Sequence, residues 1–179
     1  GNGTGDEIGQ FDQIFDIAFD SSDNIYVADY VNNRVQVFTS SGNYSFMIGT
    51  GSSVGQNAVY RPAGIAIDSV DNIYITEKSA HCVHIFNAQG EHIYDFGNYG
   101  TGDGQFRSPS KIAVDNDGNI YVADSLNDRI QICTDQGAYT FIYSKIQDLN
   151  YPYGITLDNN GNIYVTDCDN SRVQIYDTD

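Results

Sequence analysis

The segment Asn24-Ile25-Tyr26-Val27-Ala28-Asp29 constrains this chain most, because it returns. It recurs as Asn72-Ile73-Tyr74-Ile75-Thr76-Glu77, as Asn119-Ile120-Tyr121-Val122-Ala123-Asp124 and as Asn162-Ile163-Tyr164-Val165-Thr166-Asp167, at intervals of 48, 47 and 43 residues. A near-fixed period of this length marks an architecture of stacked repeats. Each such repeat buries its faces only against its neighbours.

Before each copy lies a short apolar segment ending in aspartate: Phe15 to Asp20, Ala63 to Asp68, Ser110 to Asp115 and Tyr153 to Asp158. Large and small residues alternate in it, which predicts a period-2 strand with one face kept small, as the crowded axis of a closed β fold requires. The connections Asp20 to Asp23, Asp68 to Asp71, Asp115 to Gly118 and Asp158 to Gly161 are built from residues that tolerate left-handed backbone and bond their own chain, so they read as hairpin turns. Calcium binding at Asp115 to Gly118 is the alternative, but an EF-hand loop also needs a distal glutamate and flanking helices.

After each Asn-Ile-Tyr segment a four-residue connection leads to a third strand: Arg34 to Phe38, Cys82 to Phe86, Arg129 to Cys133 and Arg172 to Tyr176. A fourth is expected at Tyr44 to Ile48, Glu91 to Phe96 and Ala138 to Tyr143. Four strands per repeat at this period predict an all-β fold, a β-propeller. Its blades would span 11–48, 60–96, 106–143 and 151–179, the last lacking its outermost strand. The acid closing strand two recurs with the arginine opening strand three, as Asp29/Arg34, Asp124/Arg129 and Asp167/Arg172. These are expected to be structural clasps of the exposed kind, worth about 0.2–1 kcal/mol each. The second repeat puts Glu77 opposite Cys82 and so is expected to form without one.

Glycine-rich loops enter the first three repeats, at Gly1 to Phe11, Gly49 to Gln56 and Gly97 to Phe106. A phosphate cradle is a weak reading, since no Walker lysine follows and each loop feeds a strand rather than a helix N-terminus.

Bulk chemistry narrows the function classes. The balance of 24 acidic against 8 basic residues gives a net charge of -16. That denies the chain the basic footprint a nucleic-acid binder needs and disfavours anionic membrane surfaces. It supports solubility by self-repulsion or, alternatively, cation binding or a salty exterior. No apolar run reaches the roughly 20 residues of a membrane span, and no signal peptide is visible at Gly1, so none is expected in this chain unless it has been removed. Cys82, Cys133 and Cys168 are odd in number and irregularly spaced, so no disulfide framework and no cysteine metal site are expected.

The recurring glycine loop, the Gly-Ile-Ala-hydrophobic-Asp strand, the Asn-Ile-Tyr-Val-Ala-Asp strand and the Asn-x-Arg-hydrophobic-Gln-hydrophobic strand resemble the NHL repeat. The match covers the chain four times and is strongest from Gly100 to Cys133. The resemblance implies a propeller that typically has six blades, whereas four are present here. The ring is therefore expected to be completed by further sequence or by another copy, possibly through strand addition, since open blade edges invite association. Tight closure of four blades is the remaining option.

The resemblance also implies several roles: scaffold modules, RNA-binding domains, extracellular sensors and a zinc-dependent amidating lyase. Charge opposes RNA binding. A catalytic zinc needs about three convergent ligands, and His81, His84 and His92 all fall in the outer strands and loop of one repeat, so they are not expected to meet at the channel. No catalytic residue and no cofactor is expected, calcium aside. The loops joining strands four to one and two to three share one propeller face. Tyr30, Asn32, Tyr60, Arg61, His81, Phe106, Arg107, Tyr151 and Tyr153 are expected there as a face for protein or glycan, alongside Val31, Lys78 and Leu126. Two sequons, at Asn2 and Asn43, mark candidate glycosylation positions. The expectation is a non-enzymatic, extracellular or cell-surface module for binding or assembly. The alternatives are a cytoplasmic location, and a segment of a propeller enzyme whose catalytic residues lie outside these blades.

Overall fold

The structure, a computed structural model, describes residues 3–49, 58–135 and 141–177. The chain makes four antiparallel sheets in sequence order. The first is β1 (Ile14–Phe19), β2 (Ile25–Asp29), β3 (Arg34–Phe38) and β4 (Tyr44–Ile48); the second is β5 (Pro62–Ile67), β6 (Ile73–Glu77), β7 (Cys82–Phe86) and β8 (His92–Phe96). The two-residue strands β9 (Asn98–Tyr99) and β10 (Gln105–Phe106) pair in parallel within the loop before the third sheet. That sheet is β11 (Pro109–Val114), β12 (Asn119–Asp124), β13 (Arg129–Asp135) and β14 (Phe141–Ile146). The last has three strands, β15 (Pro152–Leu157), β16 (Ile163–Asp167) and β17 (Arg172–Tyr176). Two short 3-10 turns, Ser125–Asn127 and Cys168–Asn170, are the only helical elements among the described residues, and no helix there is long and apolar enough to cross a membrane.

The strands lie where the repeat placed them, with one shift. β14 runs to Ile146 instead of ending at Tyr143. The cause is β13, which continues to Asp135 and is two residues longer than the other third strands; Cys133 then faces Tyr143 and Ile130 faces Ile146. Residues 138–140, the start of the expected strand, lie outside the described residues.

Each β-hairpin turn between the first and second strands is held by one aspartate. Asp20 Oδ1 accepts from the Ser22 and Asn24 backbone N–H groups, and its Oδ2 accepts from Asn24 Nδ2 and the Tyr26 hydroxyl. Asp115 repeats this with Asp117, Asn119 and Tyr121, and Asp158 with Asn160, Asn162 and Tyr164. The invariant Asp-x-x-x-Asn-Ile-Tyr spacing is thus a closed hydrogen-bond unit. In the third repeat both Asp115 oxygens accept from donors of their own turn.

The core consists of three layers, each between consecutive sheets. Tyr26, Ala28, Val35, Val37 and Ile48 pack on Ile65, Ile73, Ile75 and Phe86. Tyr74, Val83 and Ile85 pack on Ile112, Ile120, Val122 and Cys133. Tyr121, Ala123 and Ile130 pack on Ile163 and Val165. In the second sheet Ile73 and Ile75 face one neighbour while Tyr74 faces the other, which is why its period-2 segments are apolar on both sides. The sheets therefore stand face to face, with β1, β5, β11 and β15 neighbouring one another along the inner edge. Close approach there requires Gly64: a Cβ at that position would lie 2.6 Å from the Ser110 carbonyl.

A second set of links joins sheet to sheet at one end. The Arg61 N–H donates to Asn33 Oδ1 at 3.1 Å, the Ser108 N–H to His81 Nδ1 at 2.9 Å, and the Tyr151 N–H to Asp128 Oδ1 at 2.9 Å. All six residues have left-handed φ, between 51° and 60°. The ring is open. The outer face of the first sheet shows Ile17 and Phe19, 51% and 59% exposed, and that of the fourth shows Val173 and Ile175, each 60% exposed.

Candidate binding face and the blade clasps

Two constellations repeat around the arc, and the sequence had named residues of both. The first is the clasp. Asp29 is fully buried and accepts from Arg34 Nε at 2.8 Å, from Asn32 Nδ2 and from the Asp12 N–H. Arg34 Nη2 then donates to the carbonyls of Glu7 and Gln10 in the glycine loop, and Gln36 closes the loop from below through Gln10 O and the Gly9 N–H. Asp124, Asn127, Arg129 and Gln131 rebuild the same network against Gly100, Thr101, Gly102, Gly104 and Gln105. Expectation and structure part in two respects. The pairs of the first and third blades are buried, their arginine side chains only 7% and 5% exposed, because each glycine loop folds over its own clasp. In the fourth pair Arg172 is 45% exposed, but its partner Asp167 is fully buried, so only the arginine half meets the surface expectation. The glycines permit this folding: a Cβ on Gly5 or Gly100 would collide with the Gln10 or Gln105 side chain.

Nor is the second blade without a clasp. Glu77 Oε2 meets His84 Nε2 at 2.9 Å, His84 Nδ1 meets Asp95 Oδ1 at 2.7 Å, and His92 Nε2 meets the same Asp95 oxygen at 2.7 Å. Cys82 Sγ lies 3.5 Å from His84 Nε2. Burial alone would strip the His84 proton; the hydrogen bonds to Asp95, Cys82 and Glu77 outweigh it and hold the imidazole pKa up at about 12. Burial would raise the Asp95 pKa, but His84 and His92 hold it below the ordinary carboxylate value. The repeat register carried a signal for this cluster: Cys82-x-His84 stands where the other blades have Arg-x-Gln.

The second constellation is the face built by the loops that join strands four to one and two to three. Tyr30 stacks on Phe15 with ring centroids 4.1 Å apart. The Arg61 guanidinium lies 5.7 Å from the Tyr30 centroid and 5.3 Å from that of Tyr60. Lys78 Nζ stands 5.1 Å from the Tyr153 centroid, with Tyr151 beside that ring. Arg107 lies 5.9 Å from Tyr99, which also contacts His81. Val31 and Leu126, 40% and 48% exposed, add apolar surface. Burial lowers the Lys78 pKa and raises that of Tyr153.

Of the eight cations in the chain, Arg34, Lys111, Arg129, Lys145 and Arg172 pair with carboxylates. Arg61, Lys78 and Arg107 have no carboxylate partner among the described residues, and all three rest on tyrosines of this face. Arg107 Nε is shut from solvent with no acceptor among the described residues.

One member of the sequence-derived face is withdrawn from the surface and two others are engaged in structural hydrogen bonds. Phe106 is fully buried between the second and third blades, against Phe96. Asn32 belongs to the clasp and donates to Gly5 O as well as to Asp29. His81 is an inter-sheet link. The structure adds Phe15 and Tyr99, which sequence did not single out. Asn43 is exposed in the β3–β4 turn, its Nδ2 donating to Ser41 Oγ; Asn2 lies outside the described residues.

The inner edge borders an open groove of about 670 Å³ whose lining includes Asp16, Ala66, Lys111, Gly154 and Thr156. Lys111 Nζ spans it to Asp16 Oδ1 at 2.6 Å and also donates to the Phe15 carbonyl. No histidine lines this groove.

Sheets stacked about a shared inner edge, each with a clasped outer hairpin, define an open propeller arc. The NHL repeat model matches residues 11–38, 59–86, 106–133 and 149–176, so the chain belongs to the NHL-repeat family. No curated protein is similar to it in sequence. Among solved structures it resembles a virginiamycin B lyase from Staphylococcus aureus in a catalytically inactive form (14% identity, 93% of this chain and 53% of that one, TM-score 0.70). It also resembles a gluconolactonase from Xanthomonas campestris (18%, 93% and 57%, TM-score 0.71) and the RRP9 WD40 repeats (15%, 91% and 50%, TM-score 0.62). At such identities the likeness is one of fold. The chain spans about half the length of each.

Proposed function

We propose that the chain is a non-enzymatic propeller module that binds a protein segment or a glycan on the tyrosine face, outside the cell or at its surface. The observation that carries this reading is the segregation of charge. In a body of net charge -16, the three cations without carboxylate partners among the described residues all sit on one face, each over an aromatic ring. Rings and stems supply apolar contact while the charges remain available to an acceptor.

The test immobilises the chain on a glycan array and pans it against a displayed peptide library. Binders should lose at least tenfold in affinity to a chain carrying Arg61→Ala, Lys78→Ala and Tyr153→Ala, with melting nearly unchanged. Equal binding by that variant overturns the reading. A second reading, a segment of a propeller enzyme, draws on the lyase and gluconolactonase among the similar structures. Histidines at matching first-strand positions in further blades would favour it.

A further inference from the structure

We propose that Glu77, Cys82 and His84 form a site for a thiophilic divalent cation of the zinc class, oriented from behind by Asp95.

The placement follows from strand register. Glu77 ends β6 directly opposite Cys82, which opens β7. His84 is two residues further along β7, so it projects to the same side as Cys82. All three residues are buried, between 6% and 8% exposed. One ligand atom from each lies within 4.8 Å of the others. Zinc held at about 2.3 Å by sulfur and about 2.0–2.1 Å by nitrogen or oxygen sets its tetrahedral ligands about 3.3–3.6 Å apart. Cys82 Sγ and His84 Nε2 already stand at 3.5 Å. Glu77 Oε2 and His84 Nε2, at 2.9 Å, need to open by only about 0.4 Å to meet the same range. Sulfur, imidazole and carboxylate together are the donor set of a borderline-soft ion, not of calcium or magnesium.

The surroundings are those of a metal-ligating histidine. Such residues nearly always give their second ring N–H to a carboxylate, a backbone carbonyl or water, which fixes the tautomer and aims the first nitrogen. His84 Nδ1 does so to Asp95 Oδ1 at 2.7 Å, and Asp95 is held in turn by His92 Nε2. The Tyr60 N–H donates to Glu77 Oε2 at 3.0 Å and steadies that carboxylate. The competing account is a plain ion pair, with the imidazolium replacing the arginine of the other clasps. An ion pair explains Glu77, His84 and Asp95. It gives no role to the buried thiol that stands at the position of Arg34 and Arg129, whereas a zinc-class site uses it as a ligand.

Cobalt(II) is the probe. Protein dialysed against chelator and titrated with Co²⁺ should bind one ion, with a thiolate-to-metal charge-transfer band in the near ultraviolet and intense four-coordinate visible bands. Cys82→Ser should abolish the charge-transfer band, Cys168→Ser should keep it, and Asp95→Asn should weaken binding about 10–100-fold. Absence of the band, or its loss in Cys168→Ser with retention in Cys82→Ser, overturns the site and leaves the ion pair alone. Should Cys82→Ser fail to fold, wild-type protein decides: Zn²⁺ should protect Cys82 from alkylation, read by peptide mass, and equal labelling with and without Zn²⁺ overturns the proposal.

Discussion

Lys111 of the third blade reaches past the second blade to Asp16 of the first, Nζ to Oδ1 at 2.6 Å, with both side chains 19% exposed. Asp16 Oδ2 at the same time accepts from the Ile65 N–H at 2.8 Å. One carboxylate thus ties three blades at the inner edge.

Removing the cation leaves Asp16 partly buried with half its partners. Lys111→Met should cost about 1–3 kcal/mol in urea unfolding. Asp16→Asn should cost a similar amount, and the double substitution less than the sum, since the two share one interaction. Additive losses would mean that the contact does not couple the blades.

The clasps provide an internal series in which burial is the variable. Arg34→Met and Arg129→Met each strand a fully buried aspartate and should cost about 3–5 kcal/mol. Arg172→Met also leaves a buried aspartate, but its arginine is half-exposed, so the loss should be smaller, about 1–3 kcal/mol. Thermal melting of the three variants checks the order.

The turn tyrosines make stability fall at high pH. Burial, the hydrogen bond to Asp115 and the nearby Asp115 charge push the Tyr121 phenol up to about 12, and burial together with Asp20 raises that of Tyr26 further. A raised folded-state pKa stabilises fully below the unfolded value near 10 and is lost as pH climbs through the folded value. Stability should therefore drop from about pH 10 toward 12. In an absorbance titration at 295 nm, Tyr121→Phe should remove one late-ionising phenol.

Exposed Val173 and Ile175 on one outer face, and Ile17 and Phe19 on the other, are apolar sheet surface without cover among the described residues. The 179-residue chain should self-associate with rising concentration in sedimentation velocity, and Val173→Lys with Ile175→Lys should shift it toward the monomer. A monomer at all concentrations would show that these faces do not attract each other.

Strands and turns were legible in the sequence because local chemistry decides them. Asp115, Asn119 and Tyr121 close one turn among themselves, and the alternation in Gly64 to Ile67 reports two buried faces directly. Burial of particular loop-end side chains was not legible. Arg34 and Phe106 look like rim residues by position, yet a glycine loop covers the first and a neighbouring sheet the second, and neither coverage is encoded in the residue itself. The Lys111–Asp16 tie was missed for a related reason: 95 positions separate the partners, and only blade stacking brings them together. The Cys82–His84 cluster was hidden differently, since its residues depart from the repeat and a departure was read as loss.

The inter-sheet links at the rim use Asn33, His81 and Asp128, an amide, an imidazole and a carboxylate. What each joint demands is a lone pair presented to a peptide N–H, not a particular side chain. Chemical identity at these corners is thereby uncoupled from assembly. The arc can vary the character of its outer lip, blade by blade, while the spacing between blades stays the same.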